Sequence, residues 1–274
     1  MSDRREAARR ALADVECNVG FAAAVLEGLP GGELWADDDA APHAFHAVHP
    51  CGMSLAWGPG LGEVADVAVH RIRERAARGR GEWLQVDPRW RGLDWDTMLG
   101  AVPLAEADGR EAAVVRRTRL NFAFDAAAFA AARADVAGTV RRATEADFAW
   151  PGGTVPSDCW PDARTFLAQG GGWVAEVDGA PAALAFAAMT SGDDVEVGIE
   201  TLPAFRRRGL ARVACAALVE DLVAAGRTPV WSCREDNVGS ERLAGTLGFA
   251  VSRRLPYWEV RAAAARRGSA PSRR

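Results

Sequence analysis

Apolar residues recur along this 274-residue chain with two different spacings, which together predict an α/β protein. Near the start, Leu12, Val15, Val19 and Leu26 share one helical face, so residues 2–29 are expected to form a helix that Pro30 ends. Further along, apolar residues occupy alternate positions, which predicts strands. The predicted strands are 44–48, 53–57, 82–86, 111–124, one beginning at Thr139, 173–177, 181–189, 194–201, 229–233, 249–254 and 257–260. The later helices are expected to end near Arg78, Leu99, Asp135, Gln169, Ala225 and Leu247.

The chain is expected to divide near residue 137. An alanine-rich connector over 125–135 ends the first half, and a new strand begins at Thr139. Both halves follow a similar order of strands, glycine turn and helices, so the first half is interpreted as a degenerate copy of the second. The prediction is an N-terminal α/β domain over 1–137, a second domain over 138–260 and a basic flexible tail over 261–274.

The stretch from Asp194 to Ala211, DVEVGIETLPAFRRRGLA, carries the clearest chemical signal. A strand comes first, and Pro203 ends it because proline has no N–H to donate. Three arginines and Gly209 then lead directly into an alanine-rich helix. The start of a helix has unpaired N–H groups and a partial positive charge. This arrangement favours the binding of a phosphate or pyrophosphate.

Two further motifs lie in register with that stretch: VRRATEADF at the start of the second half and NVGSERLAGTLGF near its end. With RRRGLA, these motifs resemble the GNAT (Gcn5-related) N-acetyltransferase superfamily over about Thr139–Val260. Four narrower features are similar to a subfamily that includes zwittermicin A-resistance acetyltransferases: EVGIET, Pro229-x-Trp231-x-Cys233, N-x-x-S-x-x-L-A, and W-P-x-x-x-x-F-L followed by GGGW. The resemblance implies a mixed, mostly antiparallel twisted sheet flanked by helices, and it makes the first half a non-catalytic GNAT-like domain.

The resemblance also implies that acetyl-CoA is the co-substrate. The loop formed by Arg206, Arg207, Arg208, Gly209, Leu210 and Ala211 corresponds to the family's Q/R-x-x-G-x-G/A pyrophosphate loop, with Ala211 in the last position. Backbone groups of Ile199 and Thr201 are expected to pair with the pantetheine arm, and Asn237 and Ser240 to line it. Asn237 is also a good N-cap for its helix, and both roles are compatible.

Acetylation of an amine requires a base, because the attacking amine must be neutral. Glu196 stands where many family members place that base, and Glu200, on the same face, is the alternative. Ordinary solvated carboxylates are the competing interpretation of both. The family often has a tyrosine seven residues after the asparagine to protonate the leaving thiolate, but Ala244 occupies that position here. Tyr257, the chain's one tyrosine, is a weaker candidate for the acid, since packing of a final strand also explains it.

Composition narrows the class of protein. The net charge of −4 argues against general nucleic-acid binding and is compatible with a cationic substrate. Five scattered cysteines without a CxxC pair are not a disulfide framework, and no apolar run reaches membrane-spanning length, so we expect a cytoplasmic protein. Apolar burial is the expected state of Cys215 and Cys233, rather than a covalent acyl-cysteine role.

The cluster of His43, His46, His49 and Cys51 lacks a second group of ligands, and His46 points away from the other two histidines on a strand, so no metal is expected. The favoured function is therefore acetylation of a small-molecule primary amine, such as an amino-bearing antibiotic or natural product, in resistance or self-protection. A catalytically silent acyl-CoA sensor and a protein or peptide N-acetyltransferase are the alternatives. The oligomeric state stays open, with a homodimer as one option.

Overall fold

The computed structural model describes residues 2–107, 112–133 and 138–263. Short 3-10 turns occur at 88–90, 104–106, 145–147 and 203–205. The helices are α1 Ser2–Leu12, α2 Gly20–Leu26, α3 Ala65–Ala77, α4 Trp95–Leu99, α5 Ala126–Arg133, α6 Pro156–Cys159, α7 Ala163–Gln169, α8 Leu210–Ala224 and α9 Val238–Gly245. The strands are β1 Glu33–Ala36, β2 Phe45–Val48, β3 Met53–Trp57, β4 Glu82–Val86, β5 Val102–Pro103, β6 Val114–Phe124, β7 Val140–Arg142, β8 Gly172–Val177, β9 Ala180–Ser191, β10 Asp194–Thr201, β11 Thr228–Val230, β12 Ser232–Arg234 and β13 Phe249–Val260.

The strands form two sheets, and helices flank them in a mixed α/β architecture, as the sequence predicted. The first sheet has the order β1-β2-β3-β4-β13-β6-β12, with β5 beside β6. The second has the order β11-β10-β9-β8-β7. Most neighbours are antiparallel, and β3–β4, β5–β6 and β10–β11 are parallel.

Two long strands join the halves of the chain. β13 pairs with β6 along its whole length, and its last residues, from Trp258 to Val260, also pair with β4. β12, from the second half, pairs with β6 from the first. Sheet membership therefore cuts across residue 137, and the division into domains at that residue stays a prediction.

The hairpin between β8 and β9 follows directly from its turn residues. Asp178 and Gly179 have φ values of 51° and 77°, the positive pair that a tight hairpin turn requires. The capping box predicted at Thr144 and Asp147 is also present: Asp147 accepts hydrogen bonds from the backbone and hydroxyl of Thr144 at 2.8 and 2.9 Å.

Four predicted elements were wrong in extent. The helix expected over 2–29 is two helices, because residues 13–19 form a turn in which the Asn18 side chain accepts a hydrogen bond from the Gly20 N–H at 3.2 Å. The strand expected over 229–233 is split between the two sheets at Trp231. The strands expected over 249–254 and 257–260 are one continuous strand, with a register shift between Val251 and Arg253. The tail predicted over 261–274 lies outside the described residues from 264 onward.

The same local topology occurs once in each half. In the second half β9 and β10 are antiparallel, and α8 connects β10 to the parallel β11. In the first half β2 and β3 are antiparallel, and α3 connects β3 to the parallel β4. The two copies differ in how far the parallel strands stay paired. β3 and β4 pair at four successive positions, and the Asp87 N–H extends this ladder by donating to the Ala56 carbonyl at 2.9 Å. β10 and β11 pair at only three positions.

Candidate active site

The central feature of the site is the open edge of β10. This strand pairs with β9 from Asp194 to Thr201, but it pairs with β11 only from Asp194 to Glu196. After Val230 the chain turns away and continues as β12 in the other sheet. The backbone of residues 197–201 therefore faces a gap between diverging strands. Ile199 and Thr201 lie on this edge, where their backbone groups can pair with an extended ligand.

The basic loop lies at the end of that open edge. Arg207 and Gly209 both have positive φ, 61° and 80°, and α8 begins immediately afterwards at Leu210. Across the described chain, no backbone carbonyl accepts a hydrogen bond from the N–H groups of residues 207–211. Successive N–H groups in left-handed turns before a helix form an anion-binding concavity. This geometry is compatible with the predicted pyrophosphate loop, and binding of a pyrophosphate there stays a prediction.

The three loop arginines have different surroundings. Arg206 donates from Nε to the Thr201 carbonyl at 3.0 Å and from Nη2 to Glu200 at 3.1 Å, so its guanidinium fixes the end of β10. The Arg208 guanidinium lies 5.6 Å from the ring centre of Phe205, and Arg207 is exposed. Arg207 and Arg208 are therefore better placed than Arg206 to add charge to a bound phosphate.

Asn237 and Ser240 lie at the start of α9. The Asn237 side chain accepts from the Ser240 N–H at 3.2 Å, which makes it the N-cap that the sequence predicted. The Ser240 hydroxyl accepts from the Trp231 indole N–H at 3.1 Å. Because Trp231 is the residue at which the split strand changes sheets, Ser240 helps to hold the two strands apart.

Glu196 is held by a polar network that draws on both halves of the chain. Its Oε1 accepts from the Ser232 hydroxyl at 2.7 Å and from Arg119 Nη2 at 3.3 Å. The same Arg119 nitrogen donates to the Ser232 oxygen at 2.6 Å, and Asn18 Nδ2 donates to it at 3.1 Å. Glu196 and Arg119 side chains are only 12% and 11% exposed, so their attraction is little screened. Among the described residues, nothing donates to Glu196 Oε2, which leaves that oxygen able to accept a proton.

A cavity of about 240 Å³ adjoins Glu196. It extends along β10 from Glu196 to Asp194, away from the basic loop. Its opposite wall is the turn between α1 and α2, and β6 and β13 supply further residues; the polar residues that line it include Glu16, Asn18, Asn121, Ser191, Ser252 and Arg253. The turn between α1 and α2, in the N-terminal half, therefore lines the same cavity as Glu196.

Glu200 occupies a different environment from Glu196. Its Oε2 accepts from the Gly153 N–H at 3.0 Å, and its Oε1 accepts from Arg206 and from the Thr201 N–H at 3.1 and 3.2 Å. Both oxygens thus connect the basic loop to the loop that contains Gly153. This geometry favours a structural role for Glu200 and leaves Glu196 as the better candidate for the base.

Tyr257 does not line the cavity beside Glu196. It is 1% exposed in β13, and its ring stacks on Trp83 with 5.8 Å between ring centres. Burial raises the pKa of its hydroxyl to about 12, partly offset by Arg119, Arg234 and Arg117. Ala244, at the position of the family's tyrosine, is fully buried in the core of the second half. The general acid therefore stays unassigned.

Cys215, Cys233, His46 and His49 are buried in the packed interior, whereas His43 is exposed. Burial raises the pKa of the Cys215 and Cys233 thiols, which disfavours the reactive thiolate. His46 and Glu82 form a buried pair at 2.8 Å, and His49 Nδ1 lies 2.9 Å from Cys51 Sγ. No group of three or more His, Cys, Asp or Glu residues in the described segments is arranged to hold a metal.

Three network members, Arg119, Ser232 and Asn18, were missed from the sequence. The sequence contains one indication of Arg119: arginines interrupt the alternation of apolar residues in the strand predicted over 111–124. Strand register supplies the missing information, because Ser232 pairs with Asn121 and Arg234 with Arg119 on neighbouring strands. Ser232 itself lies inside the Trp231-x-Cys233 motif, which on its own indicates no role for that residue.

Comparison with known families agrees with this geometry. Residues 132–257 match the family model described as GNAT acetyltransferase. Comparison with curated protein sequences gives no match. No helix in the described segments is long and apolar enough to cross a membrane.

Solved structures share the fold over nearly the whole chain. A GCN5-related N-acetyltransferase-like protein from Streptococcus suis is 17% identical, with a TM-score of 0.65 over 95% of this chain and 100% of its own. A GNAT-family acetyltransferase from Colwellia psychrerythraea is 12% identical, with a TM-score of 0.56 over 95% of each chain. A GCN5-related N-acetyltransferase from Kribbella flavida is 20% identical, with a TM-score of 0.51 over 88% of this chain and 96% of its own.

Proposed function

We propose that this acyltransferase, whose residues 132–257 match the GNAT acetyltransferase family model, moves an acetyl group from acetyl-CoA to the primary amine of a small molecule. The observation that carries the proposal is the position of Glu196 on β10. The open strand edge and the basic loop lie on one side of it, and the cavity lies on the other. Donor and acceptor can therefore approach Glu196 from opposite ends of one strand.

The donor side is proposed as follows. Backbone N–H groups of residues 207–211 bind the pyrophosphate, and Arg207 and Arg208 add positive charge. The backbone of Ile199 and Thr201 pairs with the pantetheine arm, which Asn237 and Ser240 line. When bound, acetyl-CoA supplies the thioester carbonyl that the amine attacks.

On the acceptor side, Glu196 takes the proton that the amine must lose, directly or through a water. Ser232 and Arg119 hold Oε1, so the carboxylate is oriented with Oε2 available to the ammonium group. The nitrogen–carbon bond then forms as the carbon–sulfur bond breaks, in a direct transfer without an acyl-enzyme. The high pKa of both buried thiols supports this route over a covalent one.

The acceptor is proposed to be an amino-bearing natural product or antibiotic, and the role resistance or self-protection in the cytoplasm. This part rests on the motif resemblance to the zwittermicin A-resistance subfamily and on the negative net charge. A protein or peptide acceptor is disfavoured because the turn between α1 and α2 walls the cavity, where a peptide needs an open groove.

A second candidate function is a silent acyl-CoA sensor. The buried Ala244 in place of a tyrosine favours it, because no helix side chain is then available to protonate the thiolate. The ordered environment of Glu196 opposes it. Turnover of acetyl-CoA separates the two functions.

The test is release of the CoA thiol from acetyl-CoA in the presence of a panel of primary amines, with the acetylated product identified by mass spectrometry. An N-acetyltransferase releases thiol only when an amine is present and forms the amide in equal amount. Tight binding of CoA with no turnover across the panel would instead support the sensor.

A further inference from the structure

The Ser232 hydroxyl lies at the centre of the network that holds Glu196. Arg119 Nη2 donates to the hydroxyl oxygen at 2.6 Å, and Asn18 Nδ2 donates to the same oxygen at 3.1 Å. The hydroxyl itself donates to Glu196 Oε1 at 2.7 Å. A hydroxyl has one proton to donate and two lone pairs with which to accept, so these three contacts use its full capacity.

The direction of the Ser232 proton follows from the chemistry of its three neighbours. A guanidinium group has only donors, and the nitrogen of a side-chain amide also only donates. The Glu196 carboxylate is therefore the one neighbour among these three that can accept the proton. Because Arg119 and Asn18 occupy both lone pairs of the oxygen, the O–H bond has to point at Glu196 Oε1.

The backbone determines which end of the Asn18 amide faces the hydroxyl. Asn18 Oδ1 accepts from the Gly20 N–H at 3.2 Å, so this end of the amide is the oxygen. The amide nitrogen then points the other way, toward Ser232. Asn18 thus acts on Ser232 as a donor.

The turn between α1 and α2, which contains Asn18, is attached to the first sheet by two further contacts. The Asn18 N–H donates to Asn121 Oδ1, on β6, at 2.9 Å. Arg253, on β13, donates to the carbonyl and to the carboxylate of Glu16 at 2.6 and 2.9 Å. These contacts hold Asn18 in place independently of Ser232 and Glu196.

We propose that Asn18 is a positioning residue for the transfer reaction. Its amide keeps the Ser232 proton on Glu196 Oε1, and Oε2 then stays available for the proton of the attacking amine. The inference rests on the proposed acetyltransferase function and adds to it a residue outside the segment 132–257 that matches the family model. It also gives the first half of the chain a part in the reaction, whereas the sequence predicted a non-catalytic domain there.

The test replaces Asn18 by aspartate and by leucine, two side chains of nearly the same size. Asn18→Asp keeps an oxygen for the Gly20 N–H but places an acceptor where the amide nitrogen was, so it draws the Ser232 proton away from Glu196. Asn18→Leu removes the donor and adds no acceptor, so the hydroxyl can still donate to Glu196. It also removes the oxygen that accepts from Gly20.

With saturating acetyl-CoA and an accepted amine, kcat should fall from wild type to Asn18→Leu and further to Asn18→Asp. Loss of a hydrogen bond to a carboxylate predicts a decrease of roughly tenfold or more in Asn18→Asp, against about two- to fivefold in Asn18→Leu. The KM for acetyl-CoA should not change, because CoA is proposed to bind on the other side of Glu196. A purely structural role predicts the reverse order, because Asn18→Leu loses a contact that Asn18→Asp keeps, and urea unfolding should show that reverse order in stability.

Ser232→Ala is the control background, because it removes the hydroxyl through which Asn18 acts. In that background Asn18→Asp should change kcat by less than about twofold, since two residues that act through one contact are not additive. Ser232→Thr keeps a hydroxyl and should retain most of the kcat that Ser232→Ala loses.

Three results would overturn the role of Asn18 and leave the proposed function intact. The first is wild-type kcat in Asn18→Asp, and the second is a greater loss of kcat in Asn18→Leu than in Asn18→Asp. The third is an equal loss from Asn18→Asp with and without the Ser232 hydroxyl, which would indicate a direct effect of the new charge on the substrate. Failure of the wild-type chain to acetylate any amine while it binds acetyl-CoA would contradict the proposed function itself.

Discussion

Replacement of Gly209 by alanine isolates the contribution of the basic loop to CoA binding. Gly209 has a φ of 80°, and a Cβ at this position would have no heavy atom within 4 Å. The new methyl group therefore meets no neighbour, and the cost is that of holding an alanine in the left-handed region, ~1–2 kcal/mol.

This cost lowers either the affinity for CoA or the free energy of unfolding, depending on how firmly the free loop is held. The N–H groups of residues 207–211 donate to no backbone carbonyl of the described chain, and the Gly209 carbonyl accepts one bond, from the Val213 N–H at 3.2 Å. The free loop is therefore held less firmly than a turn whose N–H groups are paired, and it can relax away from the strained conformation. Binding of CoA then has to restore it. The expected result is a rise of about 5–30-fold in the dissociation constant for CoA, which corresponds to ~1–2 kcal/mol, with little change in the free energy of unfolding.

Gly226→Ala is the matched control at the other end of α8. Gly226 has a φ of 72° and no heavy atom within 4 Å of a Cβ. Its N–H donates to Val223 at 3.0 Å and the next N–H donates to Leu222 at 2.9 Å, so this turn cannot relax. The variant is expected to lose ~1–2 kcal/mol of stability and keep its CoA affinity. Calorimetric titration with CoA and urea unfolding measure both quantities. Unchanged CoA affinity in Gly209→Ala, or equal weakening in both variants, would refute this account of the loop.

Three other predictions concern Arg119, the first half and pH. Arg119→Met should lower kcat at an unchanged KM for acetyl-CoA, because Arg119 positions Glu196 and Ser232. Arg119→Lys keeps the positive charge and should restore part of the lost kcat. Equal kcat in wild type and Arg119→Met would contradict this role. Calorimetry should find one CoA site per chain. The proposed site needs the open strand edge left where β10 and β11 diverge, whereas β3 and β4 in the first half remain paired. Two sites per chain would contradict that reasoning. Burial lowers the pKa of His49 to about 4, so the unfolded chain, with a pKa of ~6.5, takes up the proton first as pH falls. Stability should be lost between pH ~6.5 and about 4, by up to ~3 kcal/mol. Urea unfolding at both ends of this range should give a smaller loss in His49→Gln, and an equal loss would exclude His49 as the cause.

Much of the fold of the second half could be predicted from local signals. Asp178 and Gly179 determine a hairpin, Pro203 stops a strand, and Gly209 precedes a helix, each through the conformation of a few residues. The two diverging strands were harder to place, since the change of sheet at Trp231 depends on β6, which is more than a hundred residues away in sequence.

The candidate site also has one part that could be predicted from the sequence and one part that could not. The loop from Arg206 to Ala211 is continuous in sequence, so its chemistry was visible there. The Glu196 network is discontinuous, and its members Asn18, Arg119 and Ser232 come together only through strand pairing and the turn between α1 and α2. A lone arginine in a strand does not reveal its partner, and a predicted helix over 2–29 concealed the turn altogether.

The most direct test of the central claim compares Glu196→Gln with Glu200→Gln. The two substitutions are chemically identical, lie four residues apart on β10 and remove a carboxylate from the same face. Positioned acid–base help is worth ~10²–10⁴ in rate, so Glu196→Gln should lower kcat with an accepted amine by about that factor while CoA affinity is retained. Glu200→Gln should keep most of its kcat, because Glu200 holds two loops together. Wild-type turnover by Glu196→Gln would contradict the assignment of the base.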